Sequence, residues 1–322
     1  MTNNSVKNLL LTITLLTLIL VPFGLDSFHT EMVAKILVFA IFAMSLDLLI
    51  GFTGLISFGH AAYFGLAAYT VAIYTSNTDE SNLFITLALS MLSAGIAALI
   101  VGLFVLRTKG IYFIMVTLAF AQMMYFVFHD TDIGGGSDGV YVNSRPTPEL
   151  FGTTLFDMSE MSNIYWLVLA CLVLVYAFLK RMLNSPFGRT LQGIKSNEHR
   201  MQSMGYSTYW YKLGAFTIAG SLAGCAGFLY AVIFGFVTPE LLSWHESGNV
   251  LLMVILGGMG NLIGAILGAT AFVLMQDMFA DITEHWPLLM GSAIVFAVLF
   301  MPGGIVQLPS RIKQTLQSWS KS

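Results

Sequence analysis

Long apolar runs separated by short polar stretches dominate this chain of 322 residues. They predict helices over 9–25, 33–50, 55–75, 83–106, 111–128, 163–179 and 213–235, a short segment 249–258, then 262–278 and 286–301. A membrane-spanning helix takes about 20 residues, so the length leaves room for about eight to eleven spans. Several runs are interrupted by glycine or polar residues. No long soluble domain interrupts them, and the two sizeable connections are 129–162 and 180–212. The first run follows Lys7 and is apolar over 9–21. No small-x-small cleavage site follows it, because the chain continues Pro22, Phe23, Gly24, Leu25, Asp26, so a retained first span is expected.

Composition turns this pattern into a class. Hydrophobic types make up 57% of the chain and charged types 10%, against about 25% charged in an average soluble domain. Such an exterior carries too few charges for a soluble enzyme. Lys and Arg total 14 against 17 Asp and Glu, a net charge of −3, which leaves no basic surplus for nucleic acid. The apolar excess also excludes disorder. The expected fold is an all-α polytopic membrane protein in which 1–322 form a single transmembrane domain surrounded by membrane lipid. Cys171 and Cys225 sit in apolar runs and suggest neither a disulfide framework nor a metal site.

Charge sorts the connections into two sets. Residues 180–212 hold Lys180, Arg181, Arg189, Lys195, Arg200 and Lys212 with one acid, Glu198. Arg107 and Lys109 follow the fourth run, and Arg311, Lys313 and Lys321 lie in the tail. The opposite set holds Asp79, Glu80, Asp130, Asp132, Asp138, Glu149, Asp157, Glu160, Glu240, Glu246, Asp277, Asp281 and Glu284. By the positive-inside rule the basic connections are cytoplasmic. About ten crossings put every basic connection inside, every acidic one outside and both termini in the cytoplasm. This parity needs a crossing near 249–258, too short to span unless it begins near Leu241, and otherwise implies a broken helix near 249–260 that ends in Gly257, Gly258 and Gly260 and packs within protein.

Several polar and glycine positions stand out. Gly260, Gly264 and Gly268 recur every four residues, as do Gly220 and Gly224, and such small faces let helices approach closely in lipid. Thr53, Ser57, His60 and Tyr63 gather near the start of one apolar run, with Ser57, His60, Ala61 and Phe64 expected on one helical face. Polar groups at membrane depth are costly and usually face an interior or a cavity. His60 therefore reads either as a packed histidine bonded to a neighbouring helix or as part of a substrate pathway. Asp47 reads first as a local hydrogen-bonding residue beside a break at Gly51. Thr117 and Gln122 lie in the fifth run, where bonding between helices is favoured over lining a pathway.

Other motifs fall away. The formal G-x-S-x-G at 135–139 lies in an acidic loop after an apolar helix, without the strand-turn-helix setting a nucleophile elbow needs. His245 and Glu246 have no second histidine at metalloprotease spacing. No Gly-Lys pair exists, so the chain has no phosphate-binding loop, and any ATP is hydrolysed by another polypeptide. In the 180–212 connection Pro186 and Gly188 are expected to break the preceding helix. Ser196 or Asn197 then caps a short helix that runs to Met204 and ends at Gly205, with Glu198 in its first turn and Met201 and Met204 as apolar contacts. That segment is either a helix that docks in a partner's groove or an ordinary basic loop.

These segments resemble a known family, the transmembrane permease subunits of branched-chain amino acid ABC importers of the LivM type. The matching blocks are DLLIGFTGLISFGHAAYFGLAAY at 47–69, GIYFIMVTLAFAQ at 110–122 with GGSDG at 135–139, and SPFGR at 185–189. Asn197 with Glu198, Met204 with Gly205, LAGCAG at 222–227, Ser243 with Trp244 and LGGMGNLIGAILGA at 256–269 follow in family order. The family often has Asn where Asp47 stands and Pro where Ala265 stands. The resemblance implies an inner-membrane pathway formed with a second, homologous permease subunit, with a periplasmic binding protein delivering the solute to the acidic face. It implies two ATPase subunits docking on 180–212, with Asn197, Glu198, Arg200, Met204 and Gly205 in the coupling helix. Gly257, Gly258, Gly260, Gly264 and Gly268 would pack or hinge, and the pathway residues would be Ser57, His60, Tyr63, Thr117 and Gln122. No cofactor is expected in this chain. Related permeases carry urea, amides or sugars. An ion-coupled carrier working alone would need buried ionisable relays, and the spans hold almost none beyond Asp47, Lys35 and His60. A membrane hydrolase using Ser137 or His245 is the remote third reading.

Overall fold

The computed structural model describes residues 26–78, 81–150, 153–301 and 303–307, with Leu18, Val21, Pro22 and Gly24 before them. The expected first span lies mostly outside these residues, as do Lys7, Asp79, Glu80, Arg311, Lys313 and Lys321. Helix α1 spans Ser27–Asp47 and runs on as a π-helical turn, Leu48–Thr53. Gly54 ends that turn at φ 76°, a left-handed conformation that glycine adopts without a side-chain clash. Helices α2 (His60–Asn77), α3 (Leu83–Val105) and α4 (Ile111–His129) follow. After an irregular connection come α5 (Met161–Asn184), α6 (Pro186–Ser196), α7 (Glu198–Ser203) and α8 (Thr208–Phe234). Helices α9 (Trp244–Gly257), α10 (Leu262–Ile282) and α11 (Trp286–Phe300) complete the described fold.

The protein is an all-α polytopic membrane protein. Among the described residues six helices are long and apolar enough to cross a membrane: α1 with its π extension, α3, α4, α5, α8 and α10. Helix α9 has 14 residues and α11 has 15, shorter than a full span. Among the described residues the strands are four two-residue pieces. Strand β1 (Val140–Tyr141) pairs antiparallel with β4 (Phe236–Val237), and β2 (Glu149–Leu150) with β3 (Thr153–Thr154).

Helix α1 is the centre of the bundle, packed against α5, α8, α9 and α10. It is 89% buried over its apolar window, whereas α4 is only 22% buried. A helix apolar all round belongs in such a core. Large apolar side chains on α3 and α4, among them Leu92, Ile96, Phe104, Met115 and Met123, stay exposed and form the surface suited to lipid or another subunit. Glycine stripes set the closest approaches. Gly220 and Gly224 of α8 rest on Ala98 and Ala94 of α3, and Gly227 rests on Phe64 and Ala67 of α2. Cys171 and Cys225 are buried free thiols.

The bundle has two chemically distinct ends. One gathers the C-terminus of α3, the N-termini of α4 and α8, and all of α6 and α7, where Tyr209 donates to the Leu103 carbonyl at 2.9 Å. Arg107, Lys109, Arg189, Lys195, Arg200 and Lys212 lie here. The other holds the 130–160 connection, the β1–β4 pair and the start of α3, where Asn82 bridges to Thr147. Asp130, Asp132, Asp138, Glu149, Asp157 and Glu160 lie here, with Arg145 held on the Met158 carbonyl at 3.1 Å.

The structure corrects several local expectations. Gly51 does not break its helix, which widens into the π turn instead. The next helix starts at His60 rather than 55, so Ser57 lies in the non-helical link 54–59 and does not share a helical face with Phe64. The preceding helix ends before Pro186 as expected, at Asn184, but Pro186 also opens a further helix, α6, at its first position, where a missing N–H costs nothing. Gly188 does not break a helix; an added Cβ there would collide with the Leu183 backbone. The short helix begins at Trp244, ahead of 249 and near the earlier start at Leu241, where Ser243 caps it by accepting from the Glu246 amide at 3.5 Å. Gly260 lies in the turn before α10, so only Gly264 and Gly268 share that helix face.

Candidate functional site

Among the described residues a non-helical link, 54–59, precedes α2 and a 3-10 turn, Pro239–Leu242, precedes α9, and a polar knot joins the first link and the start of α2 to α1, α4 and α9. Non-helical backbone at membrane depth persists only where protein or a cavity satisfies it. Here the Phe58 amide donates to Thr117 Oγ1 of α4 at 3.2 Å, and the Gly59 amide to Ser57 Oγ at 3.3 Å. The Ala61 amide, an orphan donor of the first turn of α2, donates to Ser247 Oγ of α9 at 3.0 Å. His60 Nε2 lies 2.8 Å from Ser45 Oγ of α1, and its ring stacks on Phe42 at 5.5 Å and meets Tyr63 edge-on at 6.0 Å. Ser45, Ser57, His60, Thr117 and Ser247 are all buried.

The expected pathway residues therefore separate. Ser57, His60, Tyr63 and Thr117 come together, and His60 is packed against Phe42 and Tyr63 and bonded to Ser45 of the neighbouring α1. Gln122 lies further along α4, half-buried, and among the described residues no hydrogen bond joins it to the knot. Ser45 and Ser247 complete the knot. Neither stood out in the sequence, since one serine in an apolar run carries no local signal.

The basic end is built around α6 and α7. Asn197 closes α6 and caps α7, accepting from the Arg200 amide at 3.0 Å. Glu198 Oε1 accepts from Lys212 Nζ at 2.7 Å and from Thr208 Oγ1 at 3.1 Å, which fastens α7 to the first turns of α8. Burial works to raise the Glu198 pKa. The Lys212 hydrogen bond and charge, the Thr208 hydroxyl and the Lys109 charge outweigh it and hold the carboxyl below its usual range. Arg200 and Met204 point outward, and Gly205 turns the chain at φ 87°. A cleft of about 480 Å³ opens beside them, lined by Thr53, Lys109, Ile194, Asn197, Glu198 and Lys212 among others.

The same end holds the α9–α10 turn. Gly257 abuts the Gly264 backbone, Gly268 the backbone of Met253 and Gly257, and Gly258 the backbone of Gly303. Gly258 and Gly260 have φ of 110° and 82°. Asp47 reaches this turn: its Oδ1 accepts from the Gly260 amide at 2.8 Å. It is thus a long-range clamp rather than the local bond expected beside Gly51. Lys195 Nζ donates to the Gly51 carbonyl at 2.6 Å. Among the described residues no group of three His, Cys, Asp or Glu is arranged to hold a metal.

A family model described as branched-chain amino acid transport system / permease component matches residues 29–301. The chain belongs to this family. It is similar to the high-affinity branched-chain amino acid transport system permease protein LivM of Escherichia coli (strain K12), at 29% identity over 95% of this chain and 76% of the relative. The LivM protein of Salmonella typhimurium is 29% identical over 89% and 72%, and a probable LivM of Methanocaldococcus jannaschii 26% identical over 85% and 84%. An autoinducer 2 import permease, LsrC of Klebsiella pneumoniae, is 32% identical over only 48% of this chain. No solved structure matches. Membership makes the chain a multi-pass permease component that works in a complex with other subunits. Its matched region contains both the polar knot and the basic end.

Proposed function

We propose that the protein is the transmembrane subunit of an ATP-driven importer that carries branched-chain amino acids across the bacterial inner membrane. The observation that carries this reading is the similarity to LivM permeases over nearly the whole chain. In this account residues 1–322 form one permease domain with about ten crossings, the first within 9–25. The described helices α1–α5 and α8–α11 alternate in direction between the acidic and basic ends, and a first span would return the N-terminus to the basic end. That end, with 180–212, is then cytoplasmic together with both termini, and 129–162 is the external loop.

The partners follow from what the chain lacks and exposes. With no phosphate-binding loop, it uses ATP through two ATPase subunits docked on α6 and α7, with Asn197, Glu198, Arg200, Met204 and Gly205 at the contact. It holds no cofactor of its own. A periplasmic binding protein delivers the solute to the acidic end. Helix α4 exposes most of its surface yet carries Gln122 at mid-length, and a polar side chain at membrane depth faces protein or a cavity rather than lipid. This supports a pathway between α4 and a second, homologous permease subunit, with Ser57, His60, Tyr63 and Thr117 forming the wall behind it. Gly257, Gly258, Gly260, Gly264 and Gly268 give the close-packed turn about which that wall shifts.

Uptake of radiolabelled leucine, urea and a short amide by membrane vesicles holding the whole complex tests the substrate. The reading expects leucine to enter and the others to be excluded; entry of urea or the amide without leucine overturns it.

A further inference from the structure

The basic docking surface and the α9–α10 turn belong to distant parts of the sequence, and one continuous set of contacts joins them. It begins at Lys195, in the last turn of α6, whose ammonium donates to the Gly51 carbonyl at 2.6 Å. Gly51 sits in the π-helical turn, where the looser hydrogen-bond ladder frees carbonyls for outside donors, a feature frequent at functional sites. Its Cα face has no space: an added Cβ would collide with Asp47 Oδ1 and with the amide nitrogen and Cα of Gly260. Asp47 Oδ1 in turn accepts from the Gly260 amide at 2.8 Å. A displacement of α6 therefore reaches Gly260 through two hydrogen bonds and one backbone contact.

Two details mark this as more than a staple. Asp47 is fully buried, and its Oδ2 has no partner among the described residues. A buried carboxylate oxygen without a hydrogen-bond partner is a costly arrangement. Lys195, held on the Gly51 carbonyl, forms no ion pair with Asp47 among the described residues and lines the space beside Gly260. A cleft of about 480 Å³ also lies at this junction, lined by Gly51, Phe52, Gln192, Lys195, Met259 and Gly260 among others. The junction therefore has room for Lys195 and the turn around Gly260 to shift against each other.

We infer that Lys195 and Asp47 are positioning residues of the transport cycle: through Gly51 they transmit movement of the α6–α7 surface to the α9–α10 turn. The inference rests on the proposal that α6 and α7 receive the ATPases, and it adds the route by which their motion enters the bundle.

The test uses the assembled complex in proteoliposomes with its binding protein, comparing the unchanged protein with Lys195→Met, Lys195→Arg and Asp47→Asn. ATP hydrolysis and leucine uptake are read from the same vesicles. Lys195→Met and Asp47→Asn should keep hydrolysis within about twofold while uptake falls about tenfold or more, within the usual range of coupling effects. Lys195→Arg should restore most of the uptake. Unchanged uptake overturns the relay. So does a parallel fall of uptake and hydrolysis with loss of ATPase subunits, because the bonds would then only build the docking surface. A second measurement does not depend on transport. Hydrogen exchange over 258–261 should rise in Lys195→Met in the purified chain, and unchanged exchange there contradicts the relay even if the unaltered complex carries no leucine. Absence of ATP-driven leucine uptake in the unaltered complex, with raised exchange in the variant, would instead count against the importer reading alone.

Discussion

The Glu198 carboxylate holds the Lys212 ammonium at 2.7 Å, and that bond ties a six-residue helix to the first turns of a 27-residue one. A helix as short as α7 has no stability of its own, so its position depends on such contacts and on the Asn197 cap. Hydrogen bonds to a charged group are worth about 1.5–3 kcal/mol. Glu198→Lys would replace the bond by repulsion from Lys212 and Lys109. The expected outcome is loss of ATP-driven uptake with normal membrane insertion, read by transport and fractionation of the same cells.

The same carboxyl gives a pH dependence. Its folded pKa lies below the ordinary glutamate value of 4.5, so its contribution is fully present above that value and is lost as pH falls through the lowered one. Protection of 197–205 against proteolysis by an acid-active protease should therefore hold down to the carboxylate range and drop below it. Glu198→Gln should show weak protection at every pH.

At Gly205 the backbone φ is 87°, which proline, fixed near −65°, cannot adopt. Gly205→Pro should misplace the turn between α7 and α8 and abolish uptake. Gly205→Ala meets no atom within 4 Å and carries only the backbone strain, about 1–3 kcal/mol, so it should lower uptake partially. Equal activity of both variants would remove this turn from the coupling surface.

Two glycines of the α9–α10 hairpin separate packing from propensity. Gly268→Ala would drive a methyl into the Met253 and Gly257 backbones and should cost about 1–3 kcal/mol, seen as a lower melting temperature in detergent. Gly248→Ala meets nothing within 4 Å in α9 and should be neutral or gain up to about 1 kcal/mol.

The buried ring of His60 fills space between Phe42, Ser45 and Tyr63, so His60→Ala should behave as a large-to-small core change. A loss of about 3–5 kcal/mol, as for an aromatic truncated in a core, would appear as thermal instability with unchanged solute preference. An altered preference with unchanged stability would instead place His60 on the pathway.

Much of this fold is legible in the sequence where a run is continuously apolar and ends in a strong signal. The fourth and fifth runs, 83–106 and 111–128, coincide with α3 and α4 to within a residue at each end. Asn197 was readable as a cap because its side chain acts locally on Arg200. The link 54–59 was hidden, because an apolar stretch at membrane depth reads as helix whether its amides bond within the helix or to the hydroxyls of Thr117 and Ser57. The π turn was hidden because residue spacing cannot distinguish five-residue from four-residue bonding over six residues. Helix α6 was masked because Pro186 and Gly188 read only as the end of the preceding helix, whereas Pro186 both follows the end of α5 and starts α6, and Gly188 makes a close contact. The Asp47–Gly260 and Lys195–Gly51 bonds connect residues far apart in the chain, and no local pattern encodes them.

The central claim is that this permease component moves branched-chain amino acids only when ATPase subunits drive it. Leucine uptake into proteoliposomes holding the chain with its partner permease, ATPases and binding protein tests it most directly, with and without ATP. The account predicts accumulation that requires ATP and disappears when the ATPases are omitted. Accumulation by the chain without ATPases, insensitive to ATP, would contradict it.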